Sequence, residues 1–73
     1  MEPVKPLRVL GAALSARVVV ELRGGLQYHG ILHGYDPHLN LVLKDSKELK
    51  DGNVVAEHTM ILLRGDSIVY IKT

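Results

Sequence analysis

The chain has 73 residues, with nine Lys and Arg against eight Asp and Glu, no cysteine, and 47% hydrophobic residues heavy in Val, Leu and Ile. The missing cysteine excludes disulfides and thiolate metal sites, and the near-neutral balance excludes a protein that coats duplex phosphates by charge alone. One domain this small buries only ~60% of the surface its unfolded chain exposes, so association with further copies is the expected route to firm stability.

The N-terminal Met1-Glu2-Pro3-Val4-Lys5-Pro6 is polar and broken by proline. No long apolar stretch of the kind a signal peptide carries follows it, and no run approaches the ~20 apolar residues of a membrane span. The expectation is a soluble, cytoplasmic protein with no membrane contact. Residues 1–5 read as a flexible arm. Pro6 suits a first helical position, and Leu7, Leu10 and Leu14 recur as one apolar stripe, predicting a short helix over 6–15 that Gly11 weakens. A helix of this length is not stable alone and must cap another element.

From Arg17 the pattern is β, and 17–73 reads as one barrel, so that 1–73 forms a single domain. Val18-Val19-Val20-Glu21-Leu22-Arg23 is a first strand ending at Gly24-Gly25, a hairpin signal. Leu26 to Tyr35 alternates, with Leu26, Tyr28, Gly30, Leu32 and Gly34 on one face. Gly30 in mid-strand signals a sharp bend or a close backbone approach. Leu39, Leu41 and Leu43 alternate in a third strand, and the charged stretch after it contains the turn Asp51-Gly52-Asn53. Val54 to Leu63 is a fourth strand and Ser67 to Thr73 a fifth, with Arg64-Gly65-Asp66 read as a tight turn in which Gly65 supplies a positive φ. A helix followed by five short strands predicts a mainly β chain, a strongly bent antiparallel barrel of the SH3 or OB kind. The terminal Ile68-Val69-Tyr70-Ile71 is apolar on both faces, a bare edge that invites pairing with another chain. Pairing of 54–63 with 67–73 of the next copy closes into a ring when the rotation permits.

Two polar turns carry groups suited to a flat base: Asp36-Pro37-His38-Leu39-Asn40 and Arg64-Gly65-Asp66. Asn40 both donates and accepts, while His38 and Arg64 offer planar faces for stacking. Each turn alone means only a turn; their joint presence points to one nucleotide-sized pocket. Metal chemistry is not supported, because His29 and His33 lie ~13 Å apart along a strand and His58 stands isolated. Ser15, Ser46 and Ser67 lack a nucleophile context, so no enzymatic activity and no cofactor are expected.

Taken together, these segments resemble the Sm-like (Lsm) family. Val18 through Ser46 resembles the first Sm motif, with its central Gly30, Asp36-x-His38-x-Asn40 and Leu41-Val42-Leu43. Met60 through Ile71 resembles the second, Ile61-Leu62-Leu63-Arg64-Gly65-Asp66 and an apolar strand. His38 and the missing tail are most like archaeal members. The resemblance implies the Sm fold, with fourth strand joined to fifth in a homo-oligomeric ring, a heptamer favoured over a hexamer. It further implies binding of uridine-rich single-stranded RNA at the inner rim, as a scaffold or chaperone in RNA processing or turnover, with RNA-processing proteins as further partners. His38 and Arg64 would sandwich the base, Asn40 would read its edge, Asp36 would orient Asn40, and Gly65 and Asp66 would shape the second turn. The alternative is a ring that recruits proteins and binds RNA only weakly, suggested by the near-neutral charge and the apolar edge strand. Leu39 replaces a common Met, and Glu57-His58 precedes Thr59 where glycine is frequent.

Overall fold

The computed structural model describes residues 3–73. Its elements are α1 (Pro6–Ala12), β1 (Arg17–Leu22), β2 (Gln27–Tyr35), β3 (Leu41–Lys50), β4 (Asn53–Leu63), a 3₁₀ turn (Gly65–Ser67) and β5 (Ile68–Lys72). Residues 1 and 2 of the expected arm lie outside the described residues.

Pro6 opens α1, as its fixed φ favours, but the helix stops three residues short of the expected end. Ser15 turns into the left-handed region at φ 68°, and its N–H donates to the Leu32 carbonyl at 2.8 Å. The chain is thus captured by β2 before the helix can propagate. The apolar stripe also divides differently from the sequence pattern. Leu10 and Ala13 are buried, whereas Leu7 and Leu14 face outward, because Leu14 lies past the last helical turn. The Tyr35 hydroxyl donates to the Leu7 carbonyl at 3.3 Å and ties the helix to the end of β2.

The five strands form one antiparallel sheet in the order β4-β3-β2-β1-β5. Alternation sends Val18 and Val20 of β1, Tyr28 and Leu32 of β2, Leu41 and Leu43 of β3 and Leu63 of β4 to one side, where they pack with Leu10 and Ala13 as the core. Two irregularities bend the sheet. Gly30 alone faces Asp45 and Ser46, with Asp45 at φ 48°, and the pairing slips again at His33, between Leu32 and Gly34. Bulges of this kind increase local twist and let a short sheet curl on itself. At the first of them β2 and β3 approach so closely that a Cβ on Gly30 would meet Ser46 Cβ at 2.9 Å and Ser46 Cα at 3.0 Å. A β-carbon has no room there, so Gly30 serves close approach as well as bending. At the far end of β3, Asp51 and Gly52 have φ of 51° and 80°, the two-residue geometry that matches the twist of a hairpin.

β4 and β5 form the two edges of the sheet, and among the described residues they do not pair with each other. Val54, Val55, Met60 and Leu62 on β4, and Val69 on β5, expose more than half of their surface. Open backbone beside exposed apolar side chains is the signature of an edge that pairs with another chain.

Candidate nucleic-acid interface

The loop joining β2 to β3 is built around the Asp36 carboxylate. One oxygen accepts from the backbone N–H of His38 at 2.9 Å and of Asn40 at 3.0 Å. The other accepts from the Asn40 side-chain amide at 3.0 Å. Backbone hydrogen bonds from Leu39 N–H to the Asp36 carbonyl and from Asp36 N–H to the Asn40 carbonyl close the loop. Pro37, with its preset φ, occupies the second position of this turn, where proline is favoured. The amide of Asn40, followed by backbone N–H groups of Asn40 and His38 and the nearby His38 ring, holds the Asp36 carboxyl below its usual range, against the opposing effect of desolvation.

The second turn meets the first through Asn40. Its Oδ1 accepts the backbone N–H of Gly65 at 2.8 Å, a contact spanning 25 residues of sequence. The amide orientation is therefore fixed by its neighbours: a backbone donor requires oxygen on one side and a carboxylate requires nitrogen on the other. Each of the two atoms retains one unused capacity, a second lone pair on Oδ1 and a second hydrogen on Nδ2.

Gly65 is required for a reason other than the expected one. Its φ is not in the positive range, and it begins a 3₁₀ turn instead. A Cβ at this position would collide with the His38 carbonyl oxygen and meet the Leu39 carbonyl carbon at 2.9 Å. The glycine permits the two turns to lie backbone against backbone. A second feature that sequence reasoning missed is Leu39, which adopts φ 64° while packing against the core. Left-handed positions favour Asn, Asp and Gly, so a leucine carries no local signal for one.

His38, Asn40, Arg64, Gly65 and Asp66 line one open depression of about 470 Å³, and Asp36 supports Asn40 from behind. All six residues singled out from the sequence thus fall in one place. His38 is exposed, and so is the Arg64 guanidinium, which makes a 3.3 Å ion pair with Asp66. An exposed pair of this kind is weak and leaves the guanidinium free to exchange partners. No group of three potential metal ligands occurs among the described residues.

His58, isolated in sequence, is not isolated in the fold. Pairing of β3 with β4 places its Nε2 2.9 Å from the Glu48 carboxylate, and its ring centroid 6.1 Å from that of Tyr28. Burial, reinforced by the adjoining Glu48, pushes the Tyr28 hydroxyl up to about 12. His58 and then Tyr28 hold Glu48 below its ordinary value by hydrogen bonding.

The family model of the LSM domain matches residues 8–73. The chain belongs to the LSM family. An snRNP Sm-like protein of Methanococcoides burtonii is 45% identical over 68 residues, covering 93% of this chain and 94% of that protein. The Pyrococcus abyssi Sm protein solved in complex with a uridine heptamer superposes with a TM-score of 0.91 at 40% identity, covering 94% of this chain and 97% of the other. A heptameric archaeal Sm protein matches with a TM-score of 0.83 at 34% identity, covering 89% and 94% of the two chains. The helix and bent five-stranded sheet of this LSM chain are accordingly the Sm fold. None of its helices among the described residues is long and apolar enough to cross a membrane.

Proposed function

We propose that the 73 residues act as one domain that assembles, β4 to β5 of the next copy, into a homo-oligomeric ring of seven. The ring binds uridine-rich single-stranded RNA at its inner rim as a cytoplasmic scaffold or chaperone in RNA processing or turnover, without catalysing a reaction. The two exposed edges supply the means of assembly, and the heptameric Sm relative supports the count. The observation that carries the RNA reading is the Asn40 amide, locked by Asp36 and Gly65 with one donor and one acceptor left open.

That open pair complements the uracil edge, where a carbonyl accepts and N3–H donates. Held in the same register, cytosine would present its N3 acceptor to the Asn40 oxygen and be repelled, so it must shift across the site to pair. His38 and Arg64, both exposed and both lining the depression, supply planar faces that stack against the base. The uridine-bound Pyrococcus abyssi relative is consistent with this preference. In a binding titration at fixed salt, oligo(U) binds tighter than oligo(C), and Asn40→Ala or Arg64→Ala costs ~1–3 kcal/mol per base contact. Equal affinity for the two oligomers, untouched by either substitution, would refute the reading.

A further inference from the structure

The last strand carries a pattern that plain alternation does not produce. On β5, Ile68 and Ile71 stand three residues apart and both pack against the core, while Val69 and Tyr70 between them are exposed. The register with β1 explains it: Leu22 pairs with Ile68 and Glu21 with Tyr70, so Val69 is the extra residue of a bulge. Past the bulge, Tyr70 lies on the side of the sheet away from the core, and its hydroxyl is engaged by two neighbours. It donates to the Glu21 carboxylate on β1 at 3.3 Å and accepts from the Gln27 side-chain amide on β2 at 3.0 Å. The same amide donates to Glu21 at 3.1 Å, and the Gln27 oxygen lies 3.2 Å from His29 Nε2. Both amide hydrogens of Gln27 are therefore committed. The two partners reach the hydroxyl from interior strands, so the Tyr70 side chain is drawn over β1 and away from the free edge of the sheet.

We propose that Gln27 and Glu21 are positioning residues for assembly: their hold on the Tyr70 hydroxyl keeps the β5 edge clear and presents the flank of the Tyr70 ring to β4 of the next copy. The inference rests on the assembly proposed above and names what prepares the edge for it. A β4 strand that joins β5 in antiparallel register continues the sheet, so side chains on its outer side meet the outer side of β5. On β4 that side carries Met60 and Leu62, opposite Lys44 and Val42, and both are exposed. An aromatic ring beside a thioether and a leucine is a favourable apolar contact. The occupant is a second copy, because these exposed apolar groups belong to the two unpaired edges of one sheet and face the same way. Released, the Tyr70 side chain would sample its rotamers, sweep the space beside the open backbone groups, and have to be ordered on association. Tied to Glu21 and Gln27, it has lost that freedom before the next copy arrives, which is preorganisation of the edge. None of these residues lines the depression at His38, Asn40 and Arg64, so the clamp acts on assembly and leaves the base contact alone.

The test is subunit exchange. Assembled wild-type protein, Gln27→Leu, Tyr70→Phe and the double variant are each prepared with ordinary and with heavy nitrogen. The two forms are mixed, and native mass spectrometry follows the appearance of mixed rings. Tyr70→Phe keeps the aromatic ring and removes only the hydroxyl; Gln27→Leu keeps similar bulk and removes the amide. Each single variant should exchange about tenfold faster than wild type, since a leaving copy breaks two interfaces. The double variant should exchange no faster than Tyr70→Phe alone, because the amide acts through the hydroxyl. Oligo(U) affinity of the assembled variants should equal that of wild type, which also reports intact folding. Exchange of Tyr70→Phe at the wild-type rate, or a double variant showing the full product of the two accelerations, overturns the proposal. Failure of the assembly reading looks different: wild type remains single copies at every concentration, which overturns both.

Discussion

Two polar clusters occupy opposite ends of β3, and their chemistry diverges. At one end Asp36, Asn40 and Gly65 interlock at the surface and leave the Asn40 amide with unspent capacity. Toward the other end Glu48, His58 and Tyr28 satisfy one another in a half-buried setting. Both contain titratable groups displaced from their ordinary values, so a shifted pKa does not by itself identify the binding site. What separates the clusters is the remaining hydrogen-bond capacity and the planar, exposed side chains around it. The first fits the proposed RNA contact as a preorganised frame; the second braces the hairpin.

The comparison is broken most severely at Gly65. Gly65→Ala would drive a Cβ into the His38 and Leu39 carbonyls, separating the two turns. Such overpacking typically costs ~1–3 kcal/mol, and here oligo(U) affinity should collapse with it, read by thermal melts and binding titrations on the same preparation. Gly30→Ala is the matched control at the other region, since its Cβ would press on Ser46. It should lower stability by a similar ~1–3 kcal/mol while the protein that remains folded binds oligo(U) normally.

Alkaline pH tests the brace through Tyr28. The Tyr28 hydroxyl is raised from 10.0 to about 12, so its contribution is complete below pH 10 and is lost as pH rises toward 12. Denaturation midpoints should fall across that window, and Tyr28→Phe should flatten that part of the curve. Acid pH tests the frame, with the smallest expected effect near neutrality. Asp36 is held below its ordinary 3.8, so its contribution is present above that value and lost as pH falls through its lower native value. Oligo(U) binding should persist through the ordinary carboxylate range and decline only below it. Loss of binding well above pH 4 that Asp36→Asn does not alter would assign the effect elsewhere.

The local signals in the chain were sufficient for the element order, because Pro6, Gly24-Gly25, Asp36-Pro37 and Asp51-Gly52 act on their immediate neighbours and alternation declares which strand face is apolar. They were also sufficient to nominate the two turns. They failed where a conformation is imposed from afar. Leu39 enters the left-handed region under the joint demand of the Asp36 hydrogen bonds and core packing. Helix α1 ends early because Ser15 is claimed by Leu32 on β2. Gly65 is needed for the approach of a loop 25 residues away in sequence, not for its own φ. His58 acquires its partner only through the register of β3 on β4.

The sequence by itself therefore determined which residues turn and which strands form, since these depend on short-range sterics and on period-two burial, and it nominated the side chains of the proposed base contact by their chemistry. Only the tertiary structure decided which way the Asn40 amide points, where the two turns touch and which partner His58 finds. Those outcomes depend on bulges and strand register, which are settled by packing across the whole sheet.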